Sequence, residues 1–355
     1  MNKTIPASMQ DVTDRWLIDV LGAHPDFADD PISSVARQSV GEGIGQVGEF
    51  NKVVVETQSA RTTTLFLKLR APIEGMHAVA LRYKMYEKEV RFYNELAAQM
   101  NIRTPKVYYA DYDPATENVA LLMEFLDGWH SPDQITGASH DQTLAAIGPL
   151  AAINSSYWNR TADLPWLPTM QTDYMQQTIS DMAACSDPFF ERFGAELPIA
   201  KADFYRIIES WPAILDGLSE GNLTLTHYDY RVENMFFSGD GRSVAVIDWQ
   251  LIAALRAGWD LAYLLGTNIP TDQRRTHEQQ YLDLYLQRMR DEGVDYSETQ
   301  LRQDMKWSLL GLCSIAVIGG ANFDASNARS FELFKVISMR LFDAIADHEA
   351  LTVIS

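Results

Sequence analysis

The sequence has few cysteines, no long apolar run and no apolar segment near its beginning. The two cysteines, Cys185 and Cys313, lie far apart without metal-site spacing, which is typical of free thiols in a reducing compartment. The apolar stretch at 309–320 is too short to span a bilayer. Residues 1–16 lack the apolar core of a signal peptide. These absences predict a cytoplasmic protein with no membrane partner.

Basic residues are also scarce. The chain has 29 Lys and Arg against 48 Asp and Glu, a formal net charge of −19. Phosphate backbones are bound by clustered cations, so this balance argues against a nucleic-acid partner. What the chain has is length and apolar content: 355 residues, 46% of them hydrophobic, can bury a sizeable core and form two domains. Nothing in the sequence indicates the oligomeric state.

The most informative segment is 227–234, His-Tyr-Asp-Tyr-Arg-Val-Glu-Asn. Together with a later aspartate, Asp248, its residues Asp229 and Asn234 have the spacing of a kinase catalytic loop and its magnesium-binding aspartate. In that arrangement Asp229 is the catalytic base, and Asn234 and Asp248 are the metal ligands. Apolar residues on both sides predict short buried strands. The alternative is a polar turn in which Asp229 and Asn234 only bond the backbone.

The chain changes character near residue 125. Before it the pattern predicts five strands and one helix; after it helical periodicity dominates, with capping boxes beginning at Ser139 and Ser297. This order predicts an α+β fold rather than alternating βαβ units. We expect an N-terminal nucleotide-binding lobe at 1–125 and a helical lobe at 126–355. The predicted strands are 34–40, 53–57, 62–69, 107–111 and 119–125, and the predicted helix is 78–100.

A glycine-rich segment lies between the first two predicted strands. Gly41, Gly43 and Gly45 belong to it, and 43–48 fits the pattern G-x-G-x-x-G. Such glycines let backbone N–H groups approach phosphates. A dinucleotide-binding turn would require a helix next, whereas 51–57 has a strand pattern. The segment therefore favours a phosphate-binding loop between strands, with the glycine register left open.

Lys68 lies inside an apolar strand, where a charge needs a partner. In the following helix Glu89 lies in the apolar stripe, where a carboxylate calls for a buried cation. We therefore expect a Lys68–Glu89 ion pair that directs the lysine at the α- and β-phosphates of ATP. The alternative is a lysine that protects an edge strand. The stripe consists of Met85, Glu89, Phe92, Tyr93 and Leu96.

Residues 120–128 run from a predicted strand into a turn at the change in composition. In a two-lobed kinase this segment would be the hinge, and the main chains of Glu124 and Leu126 are then candidates for binding adenine. The alternative is a linker without ligand contacts.

In this succession the sequence resembles the aminoglycoside phosphotransferase and choline kinase superfamily. Ile247-Asp248-Trp249 and the later Trp259-Asp260-Leu-Ala-Tyr-Leu resemble its ecdysteroid-kinase-like and acyl-CoA-dehydrogenase-associated branch. The resemblance implies a bilobal protein-kinase-like fold, with a small antiparallel sheet and one main helix in the N-lobe. It also implies ATP and Mg²⁺ as cofactors and transfer of the γ-phosphoryl group to a hydroxyl of a small molecule.

The resemblance further implies that His227 and Asp260 brace the catalytic loop. The family often has glycine between the histidine and the aspartate, and here Tyr228 stands at that position. The acceptor stays open: a hydrophobic hydroxylated metabolite fits slightly better than an aminoglycoside antibiotic. A nucleotide-binding pseudokinase is the alternative, although none of Lys68, Asp229 and Asp248 is lost. The absence of an Ala-Pro-Glu motif after Asp248 argues against a protein kinase.

Overall fold

The computed structural model describes residues 4–39, 48–323 and 326–354, and the chain divides into two compact units. The first unit holds the N-terminal sheet, and it also takes in a four-residue segment, Asp248–Leu251, from much later in the chain. The first unit consists of Met1–Gln99, Thr104–Gly128 and Asp248–Leu251, and the second of Met100–Arg103, Trp129–Ile247 and Ile252–Ser355.

The first unit is built on a five-stranded antiparallel sheet with the order β1-β2-β3-β5-β4. All five predicted strands are present, with ends that differ from the predicted ones by up to four residues where the chain is described. The strands are β1 (Ile32–Ser39), β2 (Glu49–Thr57), β3 (Thr62–Leu69), β4 (Val107–Asp113) and β5 (Asn118–Glu124).

One face of this sheet forms a hydrophobic core with the N-terminal helix α1 (Asp14–Leu21). Alternation along β3 directs Leu65, Leu67 and Leu69 into this core. Lys68, between two of them, consequently lies on the opposite face of the strand. The period of two along β3 is therefore what separates the packing residues from the candidate site.

The prediction of one continuous helix at 78–100 is wrong. The chain forms α2 (Glu74–Arg82) and α3 (Met85–Arg91), separated at Lys84, which has a left-handed backbone with φ of 50°. A π-helical turn, Phe92–Leu96, follows α3 directly. The apolar stripe used for the prediction begins at Met85, so no residue in it could report the break. Glu89 keeps its buried position because it lies after the break.

The second unit is mostly helical and contains two short antiparallel strand pairs, β6 with β9 and β7 with β8. Its strands are β6 (Leu223–Thr226), β7 (Met235–Phe237), β8 (Val244–Val246) and β9 (Ala253–Arg256). Its helices are α4 (His140–Ser156), α5 (Asp173–Gln176), α6 (Thr178–Phe193), α7 (Lys201–Glu209), α8 (Trp211–Leu218), α9 (Trp259–Thr267), α10 (Thr271–Asp291), α11 (Glu298–Asn322) and α12 (Ala328–Asp347).

Helix starts in the second unit follow the sequence closely. Ser139 and Ser297 both form the expected capping boxes, with Gln142 and Gln300 as the reciprocal partners. Helix α9 differs from the others because every one of its residues is buried. Over the described ranges, no helix combines the length and the apolar character needed to cross a membrane. The sheet of the first unit and the helices of the second confirm the predicted α+β class.

Candidate active site

A largely buried cluster of charges lies in the first unit. Lys68 Nζ on β3 is 2.7 Å from Glu89 Oε2 on α3 and 3.3 Å from Asp248 Oδ1. The side chains of Lys68 and Glu89 are 7% and 2% exposed, and that of Asp248 is 24% exposed. Burial alone would lower the pKa of Lys68, but the two carboxylates raise it well above its usual value. The ammonium is therefore permanently charged and fixed in position.

Asp248 is held in a sparsely populated backbone conformation. Its φ is 64°, in the left-handed region that non-glycine residues rarely adopt. The next residue, Trp249, is fully buried and stacks on Phe92 with ring centroids 3.6 Å apart and an interplanar angle of 6°. Gln250 Nε2 lies 3.4 Å from Asp248 Oδ2. Packing of Trp249 thus fixes the turn that presents the Asp248 carboxylate.

A second cluster, in the second unit, surrounds Asp229. Asn234 Nδ2 donates to both the backbone oxygen and Oδ2 of Asp229, each at 2.9 Å. This orientation leaves the amide oxygen of Asn234 as the atom able to bind a cation. Arg231 Nε lies 3.3 Å from Asp229 Oδ2, an ion-pair distance. The spacing that singled out Asp229 and Asn234 therefore corresponds to a direct contact between them.

Helix α9 holds the loop that carries Asp229. Asp260 accepts hydrogen bonds from the backbone N–H groups of His227 at 2.8 Å and Tyr228 at 2.9 Å. Trp259 Nε1 donates to the Tyr228 carbonyl oxygen at 2.8 Å, and Tyr263 Oη lies 2.9 Å from Asp229 Oδ1. Burial raises the pKa of Asp260, and its hydrogen bonds oppose that shift. Asp260 thus braces the loop, the position that the sequence suggested for it.

The family model for the phosphotransferase enzyme family matches residues 43–296, which is more than half of the chain. The chain belongs to the phosphotransferase enzyme family. No functionally curated protein matches its sequence significantly. The resemblance deduced from the motifs is therefore confirmed at the level of the family.

Solved structures agree with this phosphotransferase in fold. Choline kinase from Cryptosporidium parvum matches with a TM-score of 0.56 and 13% identity, over 95% of this chain and 96% of that one. A microcompartment-associated aminopropanol kinase matches with a TM-score of 0.55 and 12% identity, over 90% and 94%. Spectinomycin phosphotransferase, solved in complex with AMP, gives 0.54 and 13%, over 93% and 98%. At these identities the likeness supports the protein-kinase-like fold alone.

Tyr228 of the phosphotransferase has a φ of 72°, in the left-handed region. Glycine adopts that region without steric cost, whereas a side chain with a Cβ atom does not. Here the ring of Tyr228 stacks on Trp259, with centroids 4.9 Å apart, and its hydroxyl lies 4.0 Å from Met175 Sδ. These contacts hold a backbone conformation that the side chain itself disfavours.

The candidate hinge offers fewer free backbone groups than its sequence suggested. The N–H of Glu124 donates to the Lys106 carbonyl oxygen at 2.7 Å, and its side chain accepts from Lys106 N at 3.0 Å. That N–H therefore already has a main-chain partner, while the role of Glu124 as a hinge residue stays a prediction. Within the described residues the N–H of Leu126 has no partner, so it stays a candidate donor.

The remaining predicted ligands are the glycines of the phosphate-binding loop and the two magnesium ligands. The glycines Gly41, Gly43 and Gly45 lie outside the described residues. Asn234 and Asp248 supply an amide and a carboxylate oxygen, which are hard donors of the kind Mg²⁺ prefers. Magnesium commonly takes only one or two protein ligands and completes its shell with water and substrate phosphates. Each of the two side chains therefore suits magnesium as an individual ligand. Over the described ranges, no group of three or more His, Cys, Asp and Glu side chains could hold a metal.

Sequence reasoning missed Tyr263, which contacts the candidate base directly. A signal for it was present: Tyr263 lies three residues after Asp260, so both project from one face of α9. Once Asp260 is taken as a brace of the loop, the tyrosine on the same face is expected to reach the same loop. Arg231, two residues after Asp229, was also not assigned a role.

Proposed function

We propose that this chain is a magnesium-dependent kinase that transfers the γ-phosphoryl group of ATP to the hydroxyl of a small molecule. The observation that carries the proposal is the buried Lys68–Glu89–Asp248 cluster. A lysine paired with a helix glutamate and a metal-type aspartate is the arrangement that kinases use for ATP phosphates. Family membership and the contact between Asp229 and Asn234 support it.

In the proposed reaction, Lys68 contacts the α- and β-phosphates and Asp229 orients the acceptor hydroxyl. The hydroxyl oxygen forms a bond to the γ-phosphorus while the bond from that phosphorus to the β–γ bridging oxygen breaks. The hydroxyl proton passes to the Asp229 carboxylate, and ADP leaves. Magnesium held by Asn234 and Asp248 would neutralise charge on the phosphate oxygens. Most of the rate enhancement would come from positioning and charge stabilisation.

For the acceptor we propose an alcohol with an apolar or cationic face. The partly exposed ring of Tyr228, the residue before Asp229, stacks on the buried ring of Trp259. Aromatic faces bind both apolar groups and quaternary ammonium groups. The net charge of −19 also favours a cationic substrate over an anionic one. The solved relatives include kinases of choline and aminopropanol, which are cationic alcohols.

The test is a measurement of ADP release from magnesium–ATP with a panel of alcohols. The panel contains choline, ethanolamine, aminopropanol, spectinomycin, kanamycin and a series of apolar primary and secondary alcohols. We expect release with at least one member, and a loss of about 10²–10⁴-fold in Asp229→Asn with ATP binding retained. Asp240→Asn is the matched control, because Asp240 is an exposed turn residue of the same unit.

The outcomes separate the proposal from its alternatives. ATP binding in a thermal-shift titration without ADP release from any alcohol would replace the kinase by a nucleotide-binding regulatory protein. Phosphorylation of a generic protein substrate would instead indicate a protein kinase. Full activity of Asp229→Asn would remove Asp229 from its proposed role.

A further inference from the structure

The Tyr263 hydroxyl contacts the candidate base and takes no part in the bond changes of the proposed reaction. Its Oη lies 2.9 Å from Oδ1 of Asp229, and the tyrosine residue is only 3% exposed. The Asp229 side chain is 17% exposed. A buried tyrosine thus faces one oxygen of the candidate base, while that base retains access to solvent.

The position of Tyr263 is fixed from both ends of the segment that carries it. Its carbonyl oxygen accepts hydrogen bonds from Thr267 Oγ1 at 2.8 Å and Asn268 Nδ2 at 3.0 Å. Asn268 Oδ1 in turn accepts from the N–H of Val232, within the loop that follows Asp229, at 3.0 Å. Asp260, one turn earlier in α9, holds the start of the same loop. The Tyr263 ring and the loop that carries Asp229 therefore keep a fixed relative position, because the segment from Asp260 to Asn268 holds both.

The two oxygens of the Asp229 carboxylate have different surroundings. Oδ2 meets the Asn234 amide at 2.9 Å and the Arg231 guanidinium at 3.3 Å. Oδ1 accepts a single hydrogen bond from the described residues, that of Tyr263. A carboxylate oxygen has two acceptor sites, so Oδ1 keeps one for the acceptor hydroxyl, and the ion pair with Arg231 lies at Oδ2 instead.

We propose that Tyr263 is a positioning residue, which fixes the Asp229 carboxylate so that the remaining lone pair of Oδ1 receives the proton of the acceptor. The proposal rests on the proposed kinase function. Tyr263 itself neither takes nor gives the transferred proton. It restricts rotation of the carboxylate, and a base must hold its geometry closely for proton transfer to be efficient.

The chemistry of the phenol suits this role. Burial, and to a smaller degree the charge of Asp229, raise the pKa of Tyr263 well above its usual value. The hydroxyl therefore stays protonated and remains a donor throughout the working pH range. A neutral donor orients the carboxylate without adding a second cation to the Arg231 guanidinium, which is already 3.3 Å from Oδ2.

The test compares Tyr263→Phe with Tyr296→Phe. Tyr296 is a matched control: it is 2% exposed, lies in the same unit, and its hydroxyl donates to a buried carboxylate, Asp304 Oδ2, at 2.6 Å. Its pKa is raised by burial and by Asp304 in the same way. The two substitutions therefore remove the same kind of bond, once at the candidate base and once elsewhere.

The readout is the split between kcat and KM for magnesium–ATP with the panel alcohol that releases ADP fastest. We expect Tyr263→Phe to lower kcat by roughly 10- to 100-fold with KM for ATP within about twofold, because it disturbs the base and not the phosphate site. Tyr296→Phe should keep kcat. Equal kcat in the two variants would overturn the positioning role alone, whereas no ADP release from the unsubstituted protein would overturn the proposed function and the role with it.

A double-mutant cycle adds a readout that needs no activity. The change in melting temperature caused by Tyr263→Phe is measured with Asp229 intact and in Asp229→Asn. We expect the two shifts to differ, since the partner of the hydroxyl has changed, while Tyr296→Phe gives the same shift in both backgrounds. Additive shifts for Tyr263 and Asp229 would contradict the contact on which the inference depends.

Discussion

The two clusters of candidate functional residues, one in each unit, are held together by different forces. In the first unit Lys68 is fixed by two carboxylates, with the closest contact to Glu89. In the second unit Asp229 is fixed chiefly by neutral donors, the hydroxyl of Tyr263 and the amide of Asn234. A paired lysine keeps its charge for binding phosphates. The carboxylate of Asp229 is instead oriented by hydrogen bonds, which fix the directions of its lone pairs.

The clusters share one property, which is backbone strain at a single residue. Asp248 in the first and Tyr228 in the second both have positive φ without being glycine. Such conformations cost of order 1–3 kcal/mol each and persist only where surrounding contacts impose them. In both cases the contact is aromatic: Trp249 packs on Phe92 directly after Asp248, and Tyr228 packs on Trp259.

The largest expected effect comes from breaking the charged cluster. Lys68→Met leaves the carboxylate of Glu89 buried without its cation, and removing one partner of a buried pair costs about 3–5 kcal/mol. The free energy of unfolding from urea denaturation should fall by that amount, and ATP binding should be lost. A change below about 1 kcal/mol, as for a surface pair, would show that the cluster is not held by its charges.

Replacing a second buried lysine of the same unit should raise the free energy of unfolding instead of lowering it. Lys88 is 2% exposed, and within the described residues its Nζ has no hydrogen-bond partner. Burial lowers its pKa from 10.5 to about 7. Lys88→Met should therefore stabilise the protein near pH 7, by on the order of 2–4 kcal/mol.

The gain in unfolding free energy from Lys88→Met should decrease as the pH rises. Between about pH 7 and 10.5 the unfolded chain binds a proton at Lys88 that the folded chain does not, so the stability of the unsubstituted protein rises with pH. The advantage of methionine should consequently shrink toward pH 10.5. Urea denaturation at pH 7 and pH 10 measures this. A gain that is equal at both pH values would contradict the assignment.

Replacing Asp260, which holds the loop that carries Asp229, should have an intermediate effect on the free energy of unfolding. Asp260→Asn replaces a buried acceptor of two backbone N–H groups by an amide that can present only one oxygen and no charge. Hydrogen bonds to charged groups contribute about 1.5–3 kcal/mol each, so we expect a loss of that order in unfolding free energy together with reduced ADP release. Normal ADP release would mean that the loop keeps its geometry without the carboxylate.

The smallest expected effect is the difference in stability between two variants of Tyr228, which measures the backbone strain at that residue. Both Tyr228→Gly and Tyr228→Ala remove the stacking on Trp259, and they differ in their preference for positive φ. Glycine should be more stable than alanine here by about 1 kcal/mol, the reverse of the usual order. Thermal unfolding of the two variants gives the comparison. Alanine equal to or better than glycine would show that no strain is stored at this position.

Local spacing in the sequence was enough to select three members of the clusters. Asp229 and Asn234 are five residues apart and share one turn, and Glu89 was recognised by its place in a helical stripe. Contacts between distant segments were less readable, because spacing carries no information on which helix reaches which loop. Tyr263 is 34 residues from Asp229, and Asp248 is 180 residues from Lys68. Only the motif, and not any pattern of periodicity, linked Asp248 to Lys68.

Two details of the backbone could not be predicted from side-chain patterns. The break at Lys84 precedes the first residue of the apolar stripe and leaves no trace in it. The N–H of Glu124 donates to the carbonyl oxygen of Lys106, a contact that the composition of the segment does not reveal. Both depend on hydrogen bonds of the main chain, which every residue except proline can make.

The complete burial of α9 has a consequence for the motion of the loop it supports. The amide protons of His227 and Tyr228 donate to a carboxylate that itself has no access to water. We expect these amides to exchange with deuterium only when the second unit unfolds as a whole, whereas loops around active sites usually open locally. In this phosphotransferase the segment next to the base would then be among the last parts of the chain to exchange.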